Sequence, residues 1–428
     1  MSPATSSACS AGRGRSTSTA GLRTRRHSRT SLIPSPSPHD PGVHEMTIAT
    51  TTPRVAIAGT GMIGKVHLDS ARAAGAEVVG VLGSSPSRGE DAARQWGVAR
   101  AFRSLDDALD SRIDVLHVCS PNDTHRDYAV AAMKRGIHVI CEKPLAISAS
   151  DAQQMVEIAQ AAGVVTAVPF VYRYHPLVRE IRARRIAGEF GELLLAHGSY
   201  LQDWLVAPSS SSWRVDAAVG GRSRAFADIG SHWCDLVEFL TGEEIVTVQA
   251  RTSIAYEQRP RTGGASFSGS ATGEMITVRT EDTAVATFTT ARGMLVNTVI
   301  SQVAAGRKNR LWIELDGSLG SAVFDQENPN SVWLGREDGA VIVQRGDPSA
   351  SAQQARLNRV PAGHPQGYAD AFRAFIADVY SATRGEAPEG LPTFADGLRA
   401  VQLTQAVLDS AQSCAAHDVA AGALLPSF

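Results

Sequence analysis

The sequence predicts an α/β protein: a doubly wound parallel sheet, then a second α/β domain on a large, mostly antiparallel sheet. Three observations carry this. At 428 residues the chain is too long for one ordinary core, so two domains are expected. From Pro53 to about residue 170, short apolar runs alternate with helical stretches, the pattern of β-α-β units. Beyond about residue 190 the texture becomes β-rich, with Gly, Asp, Asn and Pro at the turns.

The elements follow in order. Val55–Ala58 reads as a fully buried strand, followed by a glycine turn and a helix that Gly75 can end. Residues 77–85, 113–121 and 136–144 are further strands, and "VVTAVPF" one more. Between them lie helical stretches, among them one opened by Ser104 with Asp107 three residues on. "ELLLAHGSYL", "IVTVQARTSIAY", "TAVATFTT", "MLVNTVISQV", "RLWIELDG", "SAVFD", "SVWLG" and "AVIVQ" are the strands of the second domain. A Gly/Ser stretch after the second of these reads as a surface loop. Residues 366–383 return to helix, with Tyr368, Phe372, Phe375, Ile376 and Val379 as one apolar stripe, and "FADGLRAVQLTQAVLDSAQ" forms a last helix.

Composition narrows the function classes. A net charge of −2 offers no general electrostatic reason to seek nucleic acid or a membrane. Cys9, Cys119, Cys141, Cys234 and Cys414 form no CxxC pair and no Cys/His cluster, which argues against a disulfide framework and a structural metal, and for a reducing cytoplasm. No apolar run reaches the roughly 18 residues of a membrane-spanning helix. Residues 1–46 differ in kind. Rich in Ser, Thr, Arg and Pro, they are expected to be disordered. They have features of a transit peptide and of a basic arm, but the simplest reading is a stretch upstream of a true start at Met46.

"GTGMIG", residues 59–64, lies between a strand and a helix. Gly59 permits the tight turn, Gly61 lets backbone approach a pyrophosphate, and Gly64 packs helix on strand; Met62 and Ile63 complete the loop. The loop therefore predicts dinucleotide binding. The second strand ends in "GVLGSSPSRG" with no acid to hold a ribose hydroxyl. Ser84, Ser85 and Arg88 favour NADP(H) over NAD(H), although serine hydroxyls also suit a bare ribose. "CEKPL" sets Glu142 and Lys143 beyond a strand end, where ligands of such sheets bind. There Lys143 is either a proton-exchanging group or an exposed lysine paired with Glu142. "ADIGSHWCDL" places Asp228 and His232 four apart, on one helix face, as a proton-transfer pair or as a cap with a core histidine.

Taken together, "VAIAGTGMIGKVH", "CEKPL" and "DIGSHWCDL" resemble the glucose–fructose oxidoreductase/inositol dehydrogenase (Gfo/Idh/MocA) family over roughly residues 53–415. The resemblance implies a Rossmann domain (53–173), an α/β substrate and oligomerisation domain with an open sheet (174–365), and C-terminal helices packing back on the core (366–428). It implies Lys143, Asp228 and His232 as catalytic residues. "SPNDTH" resembles the nicotinamide-side loop, with Ser120, Pro121, Asn122 and His125, and "FVYRYHP" the interdomain segment, with Arg173. Gln202, Asp203, Trp204, Trp213 and His364 are the further substrate candidates. Arg222 and Arg224, within the run before Asp228, are candidate anion-binding groups.

The function implied is NAD(P)-dependent interconversion of a hydroxyl and a carbonyl on a sugar, cyclitol or sugar derivative, in a homodimer or homotetramer. An alternative on the same fold is glycoside cleavage by transient oxidation, elimination and re-reduction. A non-catalytic nucleotide sensor would not need Lys143, Asp228 and His232 together.

Overall fold

The first strand, β1 (Arg54–Ala58), is apolar on both sides because it lies in the middle of its sheet. The computed structural model describes residues 52–261 and 273–420; the 1–46 tail, with the proposed start at Met46, and the core of the Gly/Ser stretch lie outside the described residues. β1 is flanked by β2 (Glu77–Leu82), β3 (Ala101–Phe102), β4 (Val115–Val118), β5 (His138–Cys141) and β6 (Thr166–Ala167). All pairs are parallel, in the order β3-β2-β1-β4-β5-β6. This is the doubly wound order, and the chain reverses direction across the sheet between β1 and β4, where a crevice opens beyond the strand ends.

The helices start where the sequence marks them. Ser85, Ser104 and Ser148 each accept a hydrogen bond from the backbone N–H three residues on. One face of the sheet is covered by the helices 105–109, 125–133 and 149–162, joined by Phe394, Leu398 and Val401 of the last helix. The other face buries Val55, Val115 and Ile140 under Phe372, Phe375, Ile376 and Val379 of the helix Tyr368–Thr383. The chain's C-terminal helices thus complete the packing of its first sheet.

The second sheet contains β7 (Leu193–Leu201), β8 (Ile245–Ser253), β11 (Thr283–Thr290), β12 (Leu295–Ser301), β13 (Arg310–Gly317), β14 (Ser321–Asp325), β15 (Ser331–Arg336), β16 (Gly339–Gln344) and β17 (His417–Asp418). A separate ribbon pairs β9 (Gln258–Pro260) with β10 (Met275–Thr277). The large sheet runs β16-β15-β14-β13-β7-β12-β11-β8-β17 and is antiparallel except at β7–β12. "TAVATFTT" shows why it has one dry face: Ala284, Ala286 and Phe288 are buried, with exposed positions between them. That face packs on Trp233, Leu236, Val237 and Leu240 of the helix Ser231–Thr241 and on Leu177, Val178 and Ile181 of the helix Pro176–Ile186. The latter helix has little sequence signal, because its Arg/Glu-rich sequence masks a short apolar stripe. The opposite face leaves Val285, Leu295, Val299, Trp333 and Ile342 exposed.

Among the described residues no helix is long and apolar enough to cross a membrane. Cys119, Cys141 and Cys234 are free and buried, and Cys414 is free and exposed.

Candidate active site

The phosphate loop takes the shape its glycines allow. Gly59 has φ 116°, and a Cβ there would lie 2.3 Å from the Cys119 carbonyl oxygen. A Cβ on Gly64 would lie 2.1 Å from the Gly59 oxygen, so Gly64 serves close packing and faces away from the cleft. The helix Met62–Ala73 opens at Gly61 with no side-chain cap and no acid in its first turn. Its N–H groups and dipole are therefore available to a diphosphate, which fits a dinucleotide.

A cleft of ≈ 1090 Å³ runs from this loop to the second domain. Gly59, Gly61, Met62 and Ile63 line its near end, with Ser84 and Arg88 beside them. The Arg88 guanidinium donates to the Ser84 hydroxyl at 3.3 Å. Ser85 instead caps the helix Pro86–Trp96. Ser120, Pro121, Asn122 and His125 form the middle wall. Asn122 donates to the Gly220 carbonyl at 3.0 Å, and the two His125 ring nitrogens reach the carbonyls of Pro144 (2.8 Å) and Ser120 (2.9 Å). These contacts tie the loop after β4 to the second domain and to the loop after β5.

At the far end the three separated candidates meet. The Lys143 ammonium donates to Asp228 Oδ1 at 2.6 Å and to the Asp228 carbonyl at 2.9 Å. Gln302 Nε2 donates to Asp228 Oδ2 at 2.8 Å, and Arg214 stands 3.7 Å from Oδ1. Burial alone would raise the Asp228 carboxyl, but Lys143 and Arg214 outweigh it and hold it well below the usual carboxylate range. The His232 ring is set edge-on between Phe170 and Tyr172. Burial, then the Lys143 charge, push its pKa well below the ordinary histidine value, so the ring is neutral near pH 7. The Lys143–Pro144 peptide is cis.

Asp228 and His232 are not on one regular α-helix. Residues 226–230 form a π turn whose next N–H, of Ser231, reaches the Phe226 carbonyl, and the α-helix begins there. Gly230 permits this, since a Cβ would lie 2.7 Å from the Phe226 ring. The wider turn changes the angle expected for a four-residue spacing, yet both side chains line the cleft.

Gln202, Trp213 and Arg214 also line it. Four further residues stand with them, Tyr172, Tyr200, Asn309 and Tyr368, none of which the sequence marks as a candidate for the site. The Tyr172 and Tyr200 hydroxyls are 2.5 Å apart, and the Asn309 carbonyl oxygen accepts from Tyr200 and from Gln202, each at 2.8 Å. Tyr368 keeps ring contact with Phe372 of its helix's apolar stripe at 5.6 Å, yet is 39% exposed and lines the cleft.

Several expectations are corrected. Arg173 does not reach the cleft: its buried guanidinium is clamped by Asp235 and Asp396. Asp203 is drawn away by Lys308 at 2.6 Å, and the Trp204 indole donates to Gln202, supporting that side chain rather than a ligand. His364 sits in an exposed turn outside the cleft, its carbonyl accepting from Arg345. Arg224 is buried on Asp282 and Arg222 points to Asp409, so neither faces the cleft.

At the domain junction His175 is buried, stacked on Tyr172, with Nε2 unpartnered among the described residues. Burial lowers its pKa to about 4. The unfolded chain takes up this proton below about 6.5 and the native protein refuses it, so stability falls on acidification from about 6.5 towards 4. His175→Phe is expected to remove about 2–3 kcal/mol of this acid-dependent loss. Urea unfolding at several pH values measures it, and parallel wild-type and variant curves would refute it.

The parallel sheet and the glycine loop are those of a dinucleotide-binding fold, and the Lys143–Asp228–His232 cluster stands at the far end of its cleft. Residues 53–170 match the oxidoreductase family with an NAD-binding Rossmann fold, and residues 178–323 the GFO/IDH/MocA C-terminal domain. The chain belongs to the Gfo/Idh/MocA family. It is 30% identical to levoglucosan dehydrogenase of Pseudarthrobacter phenanthrenivorans over 77% of this chain and 86% of that one. A levoglucosan dehydrogenase structure in complex with NADH and L-sorbose superposes with a TM-score of 0.79 at 27% identity, covering 86% of this chain and 99% of the other. An inositol dehydrogenase homologue from Azotobacter vinelandii complexed with NAD+ gives 0.76 at 26% identity, covering 86% and 98%.

Proposed function

We propose that the protein oxidises a secondary alcohol or hemiacetal of an uncharged sugar or cyclitol, reversibly, with Lys143, Asp228 and His232 as its catalytic groups. The observation that carries this reading is the convergence of the Lys143 ammonium on an ionised, buried Asp228 beside a neutral His232. A bound nicotinamide would accept the hydride. Asp228, saturated by Lys143 and Gln302, orients the ammonium. Lys143 spends two N–H groups on Asp228, leaving a third to polarise the substrate oxygen. His232 has the free base form that removes the hydroxyl proton as the carbonyl forms.

Tyr172, Tyr200, Gln202 and Asn309 offer hydroxyl and amide partners suited to the remaining hydroxyls of such a substrate. The names of the similar proteins, levoglucosan dehydrogenase and an inositol dehydrogenase homologue, support the same substrate class. They are dehydrogenases, which favours net oxidation over glycoside cleavage. Ser84 and Arg88 fit a ribose 2′-phosphate and support NADP(H), while the NADH and NAD+ complexes of the similar structures support NAD(H).

One experiment separates these readings. A panel of sugars, anhydrosugars and cyclitols is incubated with NAD+ and with NADP+, following 340 nm absorbance. Stoichiometric reduction with at least one sugar or cyclitol is expected, faster with NADP+. Substrate turnover without net reduction would instead favour the glycoside-cleaving alternative.

Free, mostly buried cysteines support a reducing, cytoplasmic location. The apolar outer face of the large sheet supports a homodimer or homotetramer, and a monomer in sedimentation would refute that part.

A further inference from the structure

The catalytic groups do not account for a buried line of polar side chains that ends in the cleft wall. Glu142 precedes Lys143 and lines the same cleft. Its Oε1 is 3.2 Å from His67 Nε2. His67 Nδ1 is 3.0 Å from His117 Nδ1, and His117 Nε2 is 3.0 Å from the Tyr380 hydroxyl. Both imidazoles are fully buried, and the His67 ring sits edge-on to Phe372. The members come from four elements: the helix after the phosphate loop, β4, the end of β5 and the helix Tyr368–Thr383.

With Glu142 ionised and each ring carrying one proton, the direction of the line is fixed. A carboxylate only accepts, so His67 Nε2 donates; its bare Nδ1 then accepts from His117, whose bare Nε2 accepts from Tyr380. Every ring nitrogen is satisfied, which is what an apolar surrounding demands. Burial opposes the charge on Glu142, but the His67 hydrogen bond and the neighbouring Lys143 hold the carboxyl below its ordinary range. Ser120 and Pro121 lie on the cleft wall nearby, and the second Glu142 oxygen accepts the Lys143 backbone N–H at 3.1 Å. The result is a fixed negative charge in the wall of a cleft that fits a dinucleotide.

We propose that Glu142 tunes the bound cofactor, its charge favouring the oxidised, cationic nicotinamide over the neutral reduced ring, with His67, His117 and Tyr380 as the positioning residues that keep it ionised and aimed. The inference rests on the proposed use of a nicotinamide dinucleotide. An anion held near a cationic ring in a partly desolvated cleft is worth about tenfold in relative affinity.

The test measures dissociation constants for oxidised and reduced cofactor by calorimetry and nucleotide fluorescence, without substrate. Glu142→Gln keeps the size and the acceptor for His67 and removes the charge. It is expected to weaken the oxidised form about tenfold and change the reduced form less than about twofold. Tyr380→Phe, remote from the cleft, is expected to shift the ratio the same way by about threefold, because His117 loses its donor. An unchanged ratio in either folded variant would overturn the proposal. If the wild-type protein binds neither form, the dinucleotide reading itself fails, an outcome distinct from an unaltered ratio.

Discussion

Replacing Lys143 by methionine is expected to lower kcat by about 10³-fold, at the upper end of the 10²–10³ that removing one preorganised donor to developing charge costs. Methionine fills much of the lysine stem's space, so the cleft keeps its shape while losing the ammonium. Two things are then lost together. The substrate oxygen has no cationic donor as charge develops on it, and Asp228 loses its shortest partner, keeping Gln302 at 2.8 Å and Arg214 at 3.7 Å. The loss belongs mainly to kcat, since the ammonium acts most strongly on charge that develops in the transition state. Cofactor affinity is expected to stay within about threefold of wild type. Steady-state kinetics with the best substrate of the panel, together with cofactor titration, separate the two. A variant within tenfold of wild-type kcat would show that the Lys143–Asp228 contact is structural.

How much of this site was legible depended on how local each signal is. The strands and the glycine loop announce themselves because burial on both faces and the need for close backbone approach restrict residue types at neighbouring positions. Lys143, Asp228 and His232 stand in short motifs whose meaning comes from their joint presence. Tyr172, Tyr200, Asn309 and Gln302 lay beyond that reach. The first three sit at a strand end or junction that becomes cleft wall only once two distant stretches pack, as when Asn309, just before β13, meets Tyr200 near the end of β7, while Gln302 is buried behind Asp228. Tyr368 had a signal, but it was ambiguous: a tyrosine in an apolar stripe can end at a cavity as readily as in a core. The π turn gave none, because 226–230 carry no residue type specific to it. Arg173 misled for a physical reason. A single arginine in a junction segment looks free to bind a ligand until the two carboxylates that claim it, sixty-two and two hundred and twenty-three residues away, are seen beside it.

That claim makes Arg173 the most exacting residue outside the cleft. Its guanidinium bonds both Asp235 oxygens and Asp396 Oδ1, and it stacks on Phe239 at 5.0 Å. Asp235 lies in the helix that carries His232, and Asp396 in the first turn of the last helix, so one side chain pins the junction segment to both. Arg173→Met leaves two buried carboxylates facing one another with their shared cation gone. Removing one partner of a buried ion pair typically costs about 3–5 kcal/mol, far more than an exposed pair. A destabilisation of that size is expected in urea unfolding. His232 rides on the pinned helix, so kcat is expected to fall with cofactor affinity largely kept. The cause can be isolated. In Arg173→Met/Asp235→Asn the carboxyl that burial already raises to about 7 becomes an amide with neither a charge to bury nor a proton to bind, so the double variant is expected to be more stable than Arg173→Met alone, despite carrying one more substitution. A single variant within 1 kcal/mol of wild type, or a double variant less stable than the single, would mean that the clamp is not what holds the junction.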